Sequence, residues 1–349
     1  MKTSLVSNLT LQNAMRQTIA QAQKEMLQLE EESVTGRYAD VGAVLGAKTA
    51  RSLNLEMDMQ RLESFVSMNA LTTSKLAASQ GALSQISEAA NSAMETNITF
   101  DGTESQDQLD QAKESYANAL SIFTSAVNTS YAGEYLFAGI NTDVMPVSDY
   151  LSDPASAAKT AFDQAFVDFF GFTQTDAQTA DITSDQMSDF IAELETSYMG
   201  TGWDDWSTAS DQNMTSRISG SEVIQSSTNA NIDGMRKFAL GAVIGYELLN
   251  LNLSSATRST VSEASLAYIG EGITGIDAAR STLGVSEARV EQANTSLETQ
   301  ITILTTSISD MVSVDTYEAA TRINTLETQL SLAYTLTSKL QDLSLVNYL

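Results

Sequence analysis

The sequence predicts a mainly α fold: a long discontinuous helical bundle or coiled coil built from both chain ends, with an inserted small mixed α/β surface domain. Three observations carry this. Near the C-terminus Leu283, Val290, Leu297, Leu304 and Met311 recur every seven residues, and Ile301 and Ile308 fill the alternating positions. Near the N-terminus Leu55, Met59, Leu62, Val66, Asn69, Thr73 and Leu76 step by four and three in the same way. A mean spacing of 3.5 puts these residues on a narrow seam of a helix, and such a seam needs a partner helix. The only two prolines, Pro146 and Pro154, lie together, so helices on either side can run without a proline break.

Taken in order, residues 5–32 read as a helix with Leu11, Met15, Ile19, Ala22, Met26 and Leu29 on or near one face. Gly36 is placed to cap its C-terminus. The next helix is predicted from Lys48 to about Asn97, a length that argues for a coiled-coil element. A turn is expected at Phe100-Asp101-Gly102-Thr103, then a helix over about 105–131. From Tyr131 the aromatic and β-branched content rises, and a boundary is expected near 140–150. Short helices are predicted over 155–170 and 184–198, with a hairpin around Ser219-Gly220. Helical patterns resume near Asp233 and persist, with glycine interruptions, to a final helix over about 315–347. That helix carries Ile323, Leu326, Leu330, Ala333 and Leu340 on one side, while Leu332, Leu336, Leu343 and Val346 widen its apolar face. A face that wide calls for a second neighbour, which a second copy of the chain would supply; a closed monomeric bundle is the alternative.

The expected division is therefore 1–40 with 313–349 as a terminal helical assembly domain, 41–145 with 233–312 as a helical bundle domain, and 146–232 as an inserted acidic surface domain. The formal charge of −26 concentrates in the middle: Glu95 to Asp233 holds 23 acidic residues against Lys113, Lys159 and Arg217, whereas residues 1–60 hold seven acidic and six basic ones. Such a middle repels a phosphate backbone and disfavours nucleic-acid binding. Its plain reading is a solvated surface; a calcium site would want a D-x-D-x-D-G loop, which the sequence lacks.

Catalytic tools are few. With no cysteine and no histidine, thiol nucleophiles, thiolate metal sites and the commonest general base are excluded. No catalytic, cofactor-binding or metal-ligating residue is singled out, and no cofactor is expected. Gly270-Glu-Gly272-Ile-Thr-Gly275 satisfies G-x-G-x-x-G, but its surroundings are helical on both sides. A dinucleotide fingerprint needs a preceding strand, so the glycines are read as a flexible joint before a helix near Ser281. No run has the length of a membrane span or of a signal peptide's apolar core, which leaves a cytoplasmic protein or one exported without a cleaved signal.

At the two ends, Ser7 to Asn13, Leu29 to Arg37, Gly133 to Thr142 and Tyr317 to Asn324 resemble segments of the flagellin superfamily, and within it the hook–filament junction (hook-associated) family. Ser7-Asn-Leu-Thr-Leu-Gln-Asn13 and Leu29-Glu-Glu-Glu-Ser-Val-Thr-Gly-Arg37 resemble its first helix and following turn. Gly133, Tyr135, Leu136, Phe137, Gly139 and Thr142 match the G-x-Y-L/I-F-x-G-x-x-T motif typical of junction proteins rather than filament flagellin. Tyr317-Glu-Ala-Ala-Thr-Arg-Ile-Asn324 and Leu340-Gln-Asp-Leu-Ser-Leu-Val-Asn-Tyr-Leu349 resemble the C-terminal helix. The likeness covers roughly 1–145 and 275–349; after Arg37 the family's Asp-Asp-Pro loop is replaced by Ala39-Asp-Val-Gly-Ala43.

What the resemblance implies is a non-enzymatic structural subunit of the bacterial flagellum, with filament flagellin as the alternative. It implies export by the flagellar type III route and an extracellular place in a ring of copies between hook and filament. Partners are then other copies, another hook-associated protein, filament flagellin, and an export chaperone at the C-terminal helix. The terminal helices are expected to gain order on assembly. Together with the apolar pattern, this nominates Leu11, Met15, Ile19, Met26, Leu326, Leu330, Leu332, Leu336, Leu343 and Val346 as the assembly interface.

Overall fold

The computed structural model describes residues 8–97, 104–151 and 156–342. The fold is mainly α. In chain order the elements are α1 (Asn8–Thr35), α2 (Val41–Leu45), α3 (Thr49–Asn97), α4 (Gln106–Val127), the strands β1 (Ser130–Tyr131) and β2 (Glu134–Tyr135), α5 (Ala157–Phe170), α6 (Ser184–Met199), β3 (Thr215–Arg217), β4 (Val223–Gln225), α7 (Asp233–Leu248), α8 (Ser255–Val312) and α9 (Thr316–Asp342). The strands form two separate antiparallel hairpins, β1–β2 and β3–β4. The turn expected at 100–103 lies outside the described residues, as do residues 343–349. Two compact units result: Met1–Ser64 with Glu298–Leu349, and Phe65–Leu297.

In the first unit α1 packs along α9. The less exposed residues of α1 include Gln12, Met15, Ile19, Ala22, Met26, Leu29 and Ser33, with Glu25 and Glu32 beside them; those of α9 include Ala319, Ile323, Leu326, Leu330, Ala333 and Thr337, with Ala320 beside them. The first-named residues of each helix step by three and four, so each helix offers the other one narrow seam. The pairing is antiparallel, because partners on α9 descend as those on α1 rise. Met15 Sδ accepts from Thr337 Oγ1 at 3.7 Å, Gln23 Nε2 donates to the Tyr334 hydroxyl at 2.9 Å, and Glu25 binds Arg322 at 2.7 Å.

A short backbone clasp closes one end of the pair. Gly36 N–H donates to the Glu32 carbonyl, ending α1 where the sequence places its cap. Tyr38 N–H then donates to the Val312 carbonyl and Val314 N–H to the Gly36 carbonyl, each at 3.0 Å. In place of an Asp-Asp-Pro loop, Asp40 caps the one-turn α2 by accepting from Ala43 N–H at 2.8 Å. The α3 and α8 portions of this unit carry the predicted heptads: Leu55, Met59 and Leu62 on one, Ile301, Leu304 and Ile308 on the other, with Thr305 Oγ1 donating to Met59 Sδ at 3.4 Å.

The second unit gathers four helices around Tyr116 of α4. Its hydroxyl accepts from Asn97 Nδ2 of α3 at 2.7 Å and lies 2.9 Å from Ser265 Oγ of α8. Ser262 Oγ, also of α8, donates to Asn97 Oδ1 at 2.9 Å. Burial is the chief reason that the phenol is pushed up to about 12, and it stays protonated as part of the network. Further along, buried Asn69 of α3 donates both to Asn294 Oδ1 of α8 (2.7 Å) and to the Ile218 carbonyl beyond β3 (2.9 Å). A polar group at a seam position favours one register over apolar alternatives that pack nearly as well.

Glycines set the α7–α8 spacing. A Cβ on Gly272 would lie 2.7 Å from Phe238 N, and one on Gly275 2.6 Å from Gly234 Cα. The expectation of a flexible joint at Gly270–Gly275 is thereby corrected. The helix runs unbroken from Ser255 to Val312, and two of the three glycines are spent on close approach rather than on bending.

The described residues of 146–232 fold as the sequence suggests locally, with two helices and the hairpin around Ser219-Gly220. Their aromatic side chains share one continuous core with the long helices: Trp203, Trp206, Tyr150, Phe162, Phe166 and Phe190 join Tyr116, Phe123 and Phe238. Trp203 and Trp206 stack at 5.6 Å, and Tyr150 stacks on Trp206 at 4.9 Å.

Candidate assembly surfaces

Each half of the α1–α9 pair spends one face on the other, and neither helix is covered elsewhere to the same degree. No described side chain of α1 is fully buried. Among the described residues nineteen large apolar side chains are exposed, and eleven of them belong to the first unit, which is the smaller one. They include Leu27 and Val34 on α1 and Tyr317, Leu332, Tyr334 and Leu336 on α9. Exposed apolar side chains are thus concentrated on the smaller unit, as on a surface that takes part in an interaction.

The nominated interface residues divide into three groups. Met15, Ile19 and Met26 on α1 and Leu326 and Leu330 on α9 lie in the seam positions of the intramolecular pair. Leu11, Leu332 and Leu336 are exposed, the latter two by 59% and 51%. Leu343 and Val346 lie outside the described residues. Leu27, Val34, Tyr317 and Tyr334 are exposed apolar positions that pattern reading missed. They stand apart from the heptad seam, and a seam search passes over isolated residues on other faces.

In the second unit Gly133, Tyr135, Leu136, Phe137, Gly139 and Thr142 build one compact joint. Ala132 and Gly133 both have positive φ (53° and 84°), which is the two-residue turn that joins β1 to β2. Tyr135 N–H donates to the Thr142 carbonyl at 2.8 Å, folding the segment back on itself. Leu136 and Phe137 are buried, and the Phe137 carbonyl accepts from Ala230 N–H at 2.8 Å. Gly139 has φ +63°, and a Cβ there would lie 2.3 Å from the Ser210 carbonyl oxygen, so no other residue fits without moving that segment. The motif thus ties the end of α4 to the chain on either side of the β3–β4 hairpin.

Beside this joint lies a groove of about 280 Å³ between α3 and the two hairpins. Its lining includes Met68, Leu71 and Lys75 of α3, Leu136 and Met214, and the exposed Arg217 of β3. Lys75 is ion-paired with Glu134.

The comparisons with known proteins agree with this architecture. Residues 6–142 match the family described as "Bacterial flagellin N-terminal helical region", and residues 266–349 the "Bacterial flagellin C-terminal helical region". The chain belongs to the flagellin family. Members of this family are structural, non-enzymatic subunits that assemble with other flagellar components outside the cell. A solved structure named "putative flagellar hook-associated protein" from Vibrio parahaemolyticus is similar in fold, with a TM-score of 0.52 over 76% of this chain and 97% of that one, at 11% identity. None of the curated proteins matches the chain significantly. The two family matches flank residues 143–265, which contain α5, α6, the β3–β4 hairpin and α7. Among the described residues no helix of this flagellin-family chain is long and apolar enough to cross a membrane.

Proposed function

We propose that this flagellin-family chain is the junction subunit between hook and filament, an extracellular structural adaptor without enzymatic activity. One observation carries the self-assembly part of this reading. The terminal helices close on each other through one seam and leave Leu332, Leu336, Leu27 and Val34 exposed on other faces. Fully burying an exposed leucine is worth roughly 1.5–3 kcal/mol, so covering these side chains favours association. The junction assignment, as against filament flagellin, is supported by the match of Gly133, Tyr135, Leu136, Phe137, Gly139 and Thr142 to the junction-type motif.

In this reading residues 1–40 with 313–349 form the assembly domain, 41–145 with 233–312 the supporting bundle, and 146–232 the part turned to the outside. Copies form a ring, with another hook-associated protein and filament flagellin as neighbours. The chain leaves the cell by the flagellar type III route, and a chaperone covers its C-terminal helix beforehand. The nominated contacts are Leu11, Leu332, Leu336, Leu343 and Val346, with Met15, Ile19, Met26, Leu326 and Leu330 holding the helix pair that presents them.

Deletion of the gene tests the assignment. A junction subunit's loss leaves hooks in place and releases unassembled filament protein into the medium. If instead the major protein of sheared flagella disappears and no other filament protein is found, the chain is the filament subunit.

A further inference from the structure

We infer that the groove between α3 and the two hairpins is a contact site for a second copy of this chain, which sets a carboxylate against Arg217 and an apolar side chain between Met68 and Leu71. The inference rests on the self-assembly reading above and adds to it a contact surface in the second unit.

Charge is the first argument. The second unit holds 30 acidic and nine basic residues, so two such units repel each other unless a cation lies where they meet. Of the nine, Arg289 of α8 is exposed but does not line the groove, and three lie in the most acidic stretch, Glu95 to Asp233. Lys113 lies over the Tyr246 ring at 4.9 Å, and Lys159 is held by Asp163 and Glu247. Arg217 is the third. It is exposed, its guanidinium meets the Gly220 carbonyl at 3.3 Å, and among the described residues no carboxylate lies within ion-pair distance of it.

Apolar surface is the second argument. Met68 and Leu71 are 53% and 47% exposed at the groove, although both sit on a helix whose adjoining face is buried at Asn69, Thr72 and Leu76. Apolar lining with one exposed, unpaired arginine suits a protein surface offering an apolar anchor and an acidic neighbour. A small anion is a poor fit, because the other cation of the groove, Lys75, is already neutralised by Glu134. A chain with 44 acidic residues against 18 basic ones supplies the required carboxylate from almost any surface.

The test uses the full chain polymerised in a salting-out buffer, with a photo-crosslinking p-benzoylphenylalanine replacing Leu71. Irradiation is expected to give chain–chain adducts in the polymer and none in monomer at the same concentration. In growth from polymer seeds at physiological ionic strength, where the contact is less screened, Arg217→Glu is expected to raise the concentration needed for polymerisation about tenfold, equal to the loss of about 1.4 kcal/mol, and Arg217→Lys to recover most of it. Polymer that forms without adducts, or Arg217→Glu protein that polymerises like wild type, overturns the groove contact and leaves self-assembly standing. A wild-type chain that stays monomeric at every salt concentration overturns both.

Discussion

Gly245 and Tyr116 occupy a single space: a Cβ on Gly245 would lie 2.4 Å from Tyr116 Cζ. The ring of α4 is pressed flat onto the backbone of α7, and its hydroxyl reaches past it to Asn97 and Ser265. One aromatic residue thereby fixes how α3, α4, α7 and α8 meet, and one absent methyl group permits it.

Gly245→Ala is therefore expected to destabilise the second unit by about 1–3 kcal/mol, the usual range for overpacking a filled core. Tyr116→Phe is expected to cost about 1–3 kcal/mol by leaving the buried Asn97 and Ser265 groups short of a partner. Urea unfolding followed by tryptophan fluorescence checks both, since Trp203 and Trp206 are the only tryptophans and both belong to that unit.

The three glycines of Gly270-Glu-Gly272-Ile-Thr-Gly275 are expected to behave differently. The nearest atom to a Cβ on Gly270 is Met94 Cε at 4.0 Å, so Gly270→Ala should be neutral or stabilise by up to about 1 kcal/mol through helix propensity. Gly272→Ala and Gly275→Ala push against the α7 backbone and should destabilise by about 1–3 kcal/mol. Equal effects at all three positions would contradict a packing role for the motif.

Glu247 of α7 predicts a pH dependence. Burial raises its pKa above the ordinary 4.5, and the Lys159 charge and the Tyr150 hydroxyl at 2.9 Å offset this only in part. The native state then binds the carboxyl proton more tightly than the unfolded state does. The contribution of Glu247 is therefore fully present below the unfolded pKa and is lost as pH rises through the higher native value. Relative to wild type, Glu247→Gln should become progressively more stable as pH increases above 4.5 and then level off. Urea midpoints across a pH series measure this, and a difference that is flat or of opposite slope contradicts it.

Much of the helical frame was legible because its cause is periodic. The seams through Leu55, Met59 and Leu62 and through Ile301, Leu304 and Ile308 sit where a 3.5-residue spacing puts them, and Gly36 ends α1 as its position suggests. What escaped has no period. Gly272 and Gly275 act through the absence of a side chain, which looks the same in a sequence whether it loosens a chain or lets two helices touch. The β1–β2 turn at Ala132-Gly133 is two residues long, too short to leave an alternating pattern. Which apolar residues remain outside depends on which faces find partners, so Leu332 and Leu336 could be nominated from the width of the α9 face, whereas Leu27 and Val34 could not.

The outward face of α9 decides the central claim. The measurement is the concentration at which the purified chain begins to sediment as polymer, compared between wild type and Leu332→Asp/Leu336→Asp, with tryptophan fluorescence confirming that the second unit stays folded. The account predicts that the variant remains monomeric at concentrations where wild type polymerises, while its urea midpoint by tryptophan fluorescence is unchanged. A variant that polymerises at the wild-type concentration would contradict the assignment of the terminal helix pair as the joint between copies.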